Sequence, residues 1–313
     1  MNNFDSGVIA VGIPTFRRPN GLARLLTELA KSDYAGEVEV FIADNDLAEQ
    51  QGAAVATQLV TDGYRFPINL VEVSKNGISE ARNALIDATL GRNEIVLLCM
   101  LDDDEWPSSG WLRIMAESFS STGADILGGH VIREFDIQMP QELMDFNTIA
   151  RRYPDSGMKP SLEATSNIAF KLDWLRSWRS HFFDPAYSKT GGEDKELLLR
   201  MKLKGASFFW SNEAFVHESF PASRSTREWA LQRAYRVGNS EMIAYINVKP
   251  PFFKIKELAK IIIAMCTLLM SYTIFSGSPV LRFRGRVAAE RARGKIGAIF
   301  GHRHFEYTKV HGN

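Results

Sequence analysis

Two cysteines in 313 residues are too few for a disulfide framework, and their separation does not suit a zinc site. Cys99 and Cys266 each lie in an apolar run, so both read as buried thiols in a reducing compartment. Net charge is also lacking: 37 Lys and Arg balance 37 Asp and Glu, and no nucleic-acid partner is expected. Met1 is followed by Asn2, Asn3 and Asp5, with neither a basic stretch nor an apolar one, so no secretory signal peptide is expected. No internal repeat or low-complexity segment is visible. What remains is ordinary globular material, 45% hydrophobic and 24% charged, long enough for one large domain or two smaller ones. The balance of charge is global only. Residues 251–313 hold 11 Lys and Arg against 3 acids, and the preceding chain is acidic by the same margin. A basic tail on an acidic body points to an anionic surface.

The chain alternates apolar runs with helical periodicity. Val8–Pro14 reads as a central parallel strand, and Leu22, Leu25, Leu26 and Leu29 share one face of the helix after it. Val38–Ala43 is a second strand, followed by a helix from about Glu49 to Val60. Leu70–Val73 is a third strand, and Asn76–Ser79 opens a helix through Leu90. Leu97–Leu101 is a buried strand running into Asp102, Asp103 and Asp104, with Pro107 expected to stop the pairing. This is the pattern of a doubly wound parallel sheet. Its polar loops, Thr15–Arg18, Asp44–Asp46, Asn76–Ser79 and Asp102–Asp104, all fall at one end of the strands, where ligands bind in open α/β sheets. Three adjacent acids there suit Mg²⁺ or Mn²⁺ shared with substrate phosphates. The plainer reading is a solvated acidic turn with a helix cap near Trp111.

The second half is less regular. Ala124–Ile132 reads as a strand bent at its glycines, and Glu163–Phe170 as another. Gly191-Gly192-Glu193-Asp194 opens a helix in which Leu197, Leu198 and Met201 share a face with Asp194, ending at Gly205. Short strands follow at Ser207–Trp210 and Ala214–Val216, leading to His217. A helix from Thr226 to Ile243 puts Trp229, Arg233 and Arg236 on one face. Pro250-Pro251 marks a boundary. Beyond it, Ile261–Leu281 carries no formal charge and matches a membrane span in length. Its Ser, Thr, Gly and Pro content and its basic flanks favour a monotopic or re-entrant segment. Next, Gly285, Ala288, Ala289, Ala292, Ile296, Ile299 and Phe300 can share a helical face, with Arg282, Arg286, Glu290, Arg293 and Lys295 largely opposite. That is a basic amphipathic helix suited to an anionic bilayer. The alternative is a helical hairpin packed on the body or on a second subunit.

The ordered set Pro14-Thr15-Phe16-Arg17, Asp44-Asn45-Asp46, Gly77-Ile78-Ser79-Glu80-Ala81-Arg82-Asn83, Asp102-Asp103-Asp104 and Gly192-Glu193-Asp194 resembles the family-2 inverting glycosyltransferases of GT-A fold. The tail resembles that of bacterial exopolysaccharide glycosyltransferases of the succinoglycan type. The catalytic resemblance covers about residues 8–245. It implies an α/β GT-A fold, Rossmann-like and mostly parallel, over residues 1–249. A nucleotide-binding half would run to about residue 105 and an acceptor half from 106 to 249. A helical, basic, membrane-associating segment would fill 250–313. It further implies transfer of one sugar from a nucleotide-sugar, a UDP-sugar, to a growing lipid-linked oligosaccharide at the cytoplasmic face of the plasma membrane, with Mg²⁺ or Mn²⁺. By the same resemblance Asp104 is the metal ligand, and Asp102 the ribose partner, with Asp103 sharing either task. Asp44 is the base-binding aspartate, with Asp46 beside it, and Thr15, Phe16 and Arg17 form the loop on the nucleotide. Arg82 lies near the donor. Asp194 is the general base, with Glu193 as fallback.

Other assignments stay open in the residues themselves. For Asp44 the alternative is an Asx-turn, for Arg82 a solvated helix charge, and for Asp194 and Glu193 a complement to the helix N-terminus. His217 is a metal or diphosphate ligand or a structural histidine. Arg224, Arg233 and Arg236, with Asn167, are phosphate or acceptor candidates, or the arginines form a solvated face. Gln232-Arg233-Ala234-Tyr235-Arg236 departs from the Gln-x-x-Arg-Trp of processive members, which favours single transfer. Two further functions compete: an Mg²⁺-dependent nucleotidyltransferase, whose glycine-rich first loop is missing at Pro14–Arg17, and a non-catalytic membrane scaffold.

Overall fold

The computed structural model describes residues 7–140, 143, 154–162, 164–178, 181–188, 190–250, 253–273 and 277–304. Glu163 and Pro251, used above to begin a strand and to mark a boundary, lie outside them. In the first half, β1 (Val8–Thr15), α1 (Pro19–Leu29), β2 (Val38–Asp44), α2 (Gln51–Thr61), β3 (Ile68–Val71), α3 (Ile78–Leu90) and β4 (Ile95–Met100) alternate. The expected strand 70–73 begins two residues earlier. All eight residues of β1 are buried, as a strand covered on both faces must be. The parallel order is β3-β2-β1-β4, in register from Ile9 opposite Val38 to Thr15 opposite Asp44. That register brings the Thr15 and Asp44 loops side by side. The β4 acids follow at the same end, because Leu101 N–H bonds Gly12 O at 3.2 Å.

The second half departs from a parallel sheet. It comprises β5 (Glu105–Pro107), α4 (Trp111–Thr122), β6 (Ile126–Phe135), β7 (Gly157–Lys159), β8 (Ile168–Lys171), α5 (Leu172–Ser177), α6 (Glu193–Leu203), β9 (Phe208–Phe220) and α7 (Arg227–Val248). The sheet continues β4-β8-β6-β9-β5, with β7 also on β9. β8 is antiparallel to both β4 and β6. Pro107 does not end pairing after β4. It closes β5, which adds to β9 at the end of the sheet, a position where a missing N–H is tolerated. The two short strands expected after Ser207 are one strand, β9, of 13 residues. The β6–β9 register shifts between Gly129 and Val131. A Cβ at Gly129 would stand 2.1 Å from Ala214 O and 2.4 Å from Asn167 Nδ2.

Two apolar layers sandwich the sheet. One joins α1 and α4 through Leu22, Leu25, Trp111, Met115 and Phe119. The other joins α3, α5 and α6 through Leu85, Leu172, Leu197 and Met201. Cys99 is buried as expected, but Cys266 is exposed. Beyond α7 stand α8 (Phe253–Thr273) and α9 (Pro279–Ile299). α9 packs on α7 and α8 on α9. No helix among the described residues is long and apolar enough to cross a membrane.

Candidate active site

Asp103 holds the first loop to the acidic cluster. It is buried, and its Oδ2 accepts from Thr15 Oγ1 at 3.0 Å and from the Phe16 N–H at 3.1 Å. Arg18 Nη1 donates to Asp103 Oδ1 at 2.9 Å and to Asp104 Oδ2 at 2.8 Å. With these partners Asp103 holds the first loop against the end of β4. Burial pushes its carboxyl upward, against the pull of Arg18. Arg17 and Asp46, both expected at the donor, bind each other at 2.7 Å. Arg17 does so with a left-handed backbone, φ 54. Asp44 accepts from the Asp46 N–H and the Ala53 N–H, each at 3.0 Å. The first of these is the Asx-turn considered above, and the second ties the carboxylate to the first turn of α2.

Arg82 is the centre of the site. It projects from α3 and is buried. Its Nη2 donates to Asp102 Oδ1 at 2.9 Å. Its Nη1 donates to Glu193 Oε1 at 2.9 Å and Asp194 Oδ1 at 2.6 Å. One guanidinium thus gathers acids from the end of β4 and the start of α6, so the solvated-charge reading of Arg82 fails. The two α6 acids are not equivalent. The apolar-face argument puts Asp194 inward, but Glu193 is the deeper, with a side chain 4% exposed against 25% for Asp194. Asp194 keeps partial access to solvent, and Thr165 donates to it through both Oγ1 and N–H. Gly192, with φ 96, sets the entry to this helix in a conformation that favours glycine.

Burial, then the neighbouring Asp194 charge, push Glu193 up to about 8 despite Arg82. Folded protein therefore keeps a proton on Glu193 that unfolded chain loses near 4.5, and this contribution to stability falls as pH rises from about 4.5 to about 8. Glu193→Gln is expected to flatten that part of the stability profile. Urea unfolding across the range checks it, and parallel profiles for variant and wild type would refute it.

Asp104 is the meeting point of a second set of charges. Besides Arg18 it faces Arg224 at 3.6 Å, and Arg224 lies 3.9 Å from Glu218. Glu218 is held by Arg133 at 2.8 Å. Burial above all, with Glu218, Asp103 and Asp102 adding to it, raises Asp104 to about 6 against the opposing Arg18 charge. His217 is one residue from Glu218 on β9, and strand alternation turns it to the other face. There it stacks on Trp106, 5.5 Å between centroids, and approaches Glu134 at 2.9 Å. This is the structural setting weighed for His217 from sequence, while Glu218 neighbours Asp104. Arg224 is at the cluster, but Arg233 lies over Trp229 and Arg236 by His304. Fully buried, Asn167 donates to His130 O and Ala214 O and accepts from Trp111 Nε1, so its side chain ties the start of β8 to β6, β9 and α4. Arg18, Thr165 and Glu218 were not singled out from sequence. Only Arg18, next to the motif Pro14–Arg17, carried any signal there.

Residues 10–176 match the family description "Glycosyl transferase family 2". The chain belongs to glycosyltransferase family 2. This glycosyltransferase is 30% identical over 236 residues to the succinoglycan biosynthesis protein ExoM of Rhizobium meliloti (strain 1021), covering 74% of this chain and 73% of that protein. It is 27% identical over 124 residues, 39% of each chain, to glycosyltransferase AglE of Haloferax volcanii. Among solved structures, mannosyltransferase PcManGT from Pyrobaculum calidifontis, in complex with GDP-Man and Mn²⁺, superposes with a TM-score of 0.63 at 15% identity over 93% of this chain and 87% of that one. S. aureus TarS 1-349 in complex with UDP gives 0.54 at 13% identity over 96% and 98%. These likenesses show a GT-A fold and set aside the nucleotidyltransferase and scaffold readings. Glycosyltransferases of this fold commonly use a divalent metal. Among the described residues no three acidic, His or Cys side chains form a ready metal cage. Asp102, one-third exposed, and Asp104 nevertheless present hard oxygens at one strand end. That fits an ion that takes its remaining ligands from diphosphate and water, as Mg²⁺ usually does.

Proposed function

We propose that this glycosyltransferase moves one sugar, with inversion, from a UDP-sugar to a growing lipid-linked polysaccharide repeat unit at the cytoplasmic face of the plasma membrane. Residues 1–249 would form the catalytic unit and 250–313 the membrane-associating part. The observation that carries the reading is the single Arg82 guanidinium bound to both Asp102 and Asp194. It brings the strand-end acids of the donor half within a side chain's reach of the helix-start acids of the other half. The ExoM similarity supports the polysaccharide acceptor, and the nucleotide complexes of the structural relatives support the donor class.

In this reading the Thr15–Arg17 loop and Asp44 receive the nucleotide, and Asp102 the ribose. Asp104, with Asp102 beside it, would hold Mg²⁺ or Mn²⁺, which neutralises charge on the diphosphate. Arg18 and Arg224, already against Asp104, can turn to the same phosphates. The acceptor hydroxyl attacks the anomeric carbon, and its proton passes to an Asp194 oxygen. The bond from that carbon to the phosphate oxygen breaks, and the nucleoside diphosphate leaves with the electron pair. Glu193, buried and protonated to about 8, is poorly suited to take the proton and is better read as support for Arg82.

Incubating the protein with UDP-sugars and following UDP release tests the reading, and no release with any sugar, metal and polysaccharide-lipid extract would overturn it. Asp104→Asn is expected to weaken UDP binding by about tenfold or more and to remove its dependence on Mn²⁺. Calorimetry with and without chelator checks this. Equal affinity in both conditions for the wild type would take the metal from Asp104.

A further inference from the structure

α9 was expected to be the bilayer helix, but it lies against the body. A Cβ on Gly238 of α7 would stand 2.0 Å from Arg291 O, and one on Gly294 of α9 would stand 2.0 Å from Tyr235 O. The glycines thus let the two backbones touch. Lys295, expected on the solvent side, is buried between Glu257 of α8 and Glu241 of α7. Burial works against the Glu241 charge, but Arg291 and Lys295 hold the carboxyl down to about 2. Ile296, Ile299 and Phe300, grouped from sequence on one apolar face with Gly285 and Ala292, are exposed, whereas Gly285 and Ala292 are buried. Small residues won the interface because only they allow that approach. α9 is the platform on which α8 is mounted.

α8 shows the opposite pattern. Glu257 and Ile261 are its buried residues, and Ala264 and Leu268, on the same stripe, are half-buried. The rest of its circumference is exposed and apolar: Ile255 is 72% exposed, Ile263 65% and Leu269 65%, and Leu258, Ile262 and Met270 lie open with them. A continuous apolar surface of this kind on a soluble body marks a site that something covers.

The surrounding charge identifies the cover. The Lys295–Glu257 pair places the end of α9 beside the start of α8, so the two helices run antiparallel. Exposed Lys256 and Lys260 therefore mark one end of the apolar face, and exposed Arg282, Arg284 and Arg286 the other. The cations outnumber the acids of the two helices: Glu257 is buried and shared by Lys260, at 2.6 Å, and Lys295, and Glu290 is paired with Arg293 at 3.3 Å. Positive charge at both ends of an apolar helix suits one that lies in the plane of an anionic membrane, with its cations at the headgroups. At 21 residues α8 would extend about 31 Å along that plane.

We propose that α8, seated on α9, is an in-plane anchor whose outer face enters an anionic bilayer. The proposal rests on the membrane reading above and adds which helix, which face and which lipid charge. Cys266, exposed on α8, offers a native probe, since Cys99 is buried.

Full-length protein labelled at Cys266 with an environment-sensitive fluorophore is mixed with vesicles of equal parts phosphatidylglycerol and phosphatidylcholine. Its emission should shift blue and be quenched by lipids carrying acyl-chain nitroxides, and pure phosphatidylcholine should bind far less. The Arg282→Ser and Arg286→Ser changes should each weaken binding about fivefold. Ile263→Glu with Leu269→Glu, at exposed positions, should weaken it about tenfold or more, with donor binding unchanged. If the protein binds vesicles but neither the probe nor these variants respond, α8 is not the anchor and the membrane reading survives. If it ignores anionic vesicles, both fall. A dimer in solution that Ile263→Glu with Leu269→Glu dissociates, without vesicle binding, would assign the face to a second copy instead.

Discussion

Asp194→Asn is expected to lower sugar transfer by about 10²–10⁴-fold and to leave donor affinity near that of the wild type. The substitution keeps the side chain's size and can still receive the Thr165 Oγ1 and Arg82 hydrogen bonds at its remaining oxygen, giving up only the long one from the Thr165 N–H. What it loses is the capacity to accept the acceptor's proton. Glu193→Gln is the matched control, because both acids sit in the first turn of α6 and bind the same Nη1 of Arg82. Glu193 is already protonated to about 8, so the amide imitates its resident form and transfer should change little. Steady-state kinetics with a single acceptor, paired with calorimetry of donor binding, separates the two. A larger loss in Glu193→Gln would move the base to Glu193, and small equal losses would remove α6 from the chemistry.

Arg82→Ala is expected to cost about 3–5 kcal/mol of stability and to abolish transfer. The guanidinium is 5% exposed on its side chain, compensates the Asp102 and Asp194 charges and holds Glu193 by a hydrogen bond. Its removal leaves carboxylates facing one another in a site with little solvent. Some of that cost is relieved by protonation, so the loss should shrink as pH falls. Arg82→Lys restores the charge without the planar fork, so it should recover much of the stability and little of the transfer, because an ammonium cannot hold Asp102 and Asp194 in the same geometry. Urea denaturation of the three proteins, alongside their turnover, checks the split. An Arg82→Ala protein with wild-type unfolding would show that the three acids do not depend on this cation.

The sequence by itself determined the alternation of strand and helix in the first half. Runs such as Val8–Pro14 and Leu97–Leu101 are apolar throughout and can be satisfied only inside a two-layer sandwich, and they are buried throughout. It also determined that polar loops meet at one sheet edge, since parallel strands joined by helices end on the same side. The tertiary structure alone decided which of those polar residues meet. Thr15 with Asp103 spans 88 residues and Arg82 with Asp194 spans 112, and no local periodicity encodes such pairs. Helical spacing correctly puts Glu193 and Asp194 about 100° apart, but it does not say which is inward. A buried guanidinium drew Glu193 in, against the apolar stripe on which Asp194 was placed. The same limit governs the C-terminal helices. Their amphipathic pattern showed that one face must be covered. Close approach through Gly238 and Gly294, with the Glu257–Lys295–Glu241 charges, chose the small-residue face of α9 for the protein and left the apolar face of α8 open. Backbone proximity and buried charge pairing depend on distance in space, which hydrophobic periodicity along the chain does not carry.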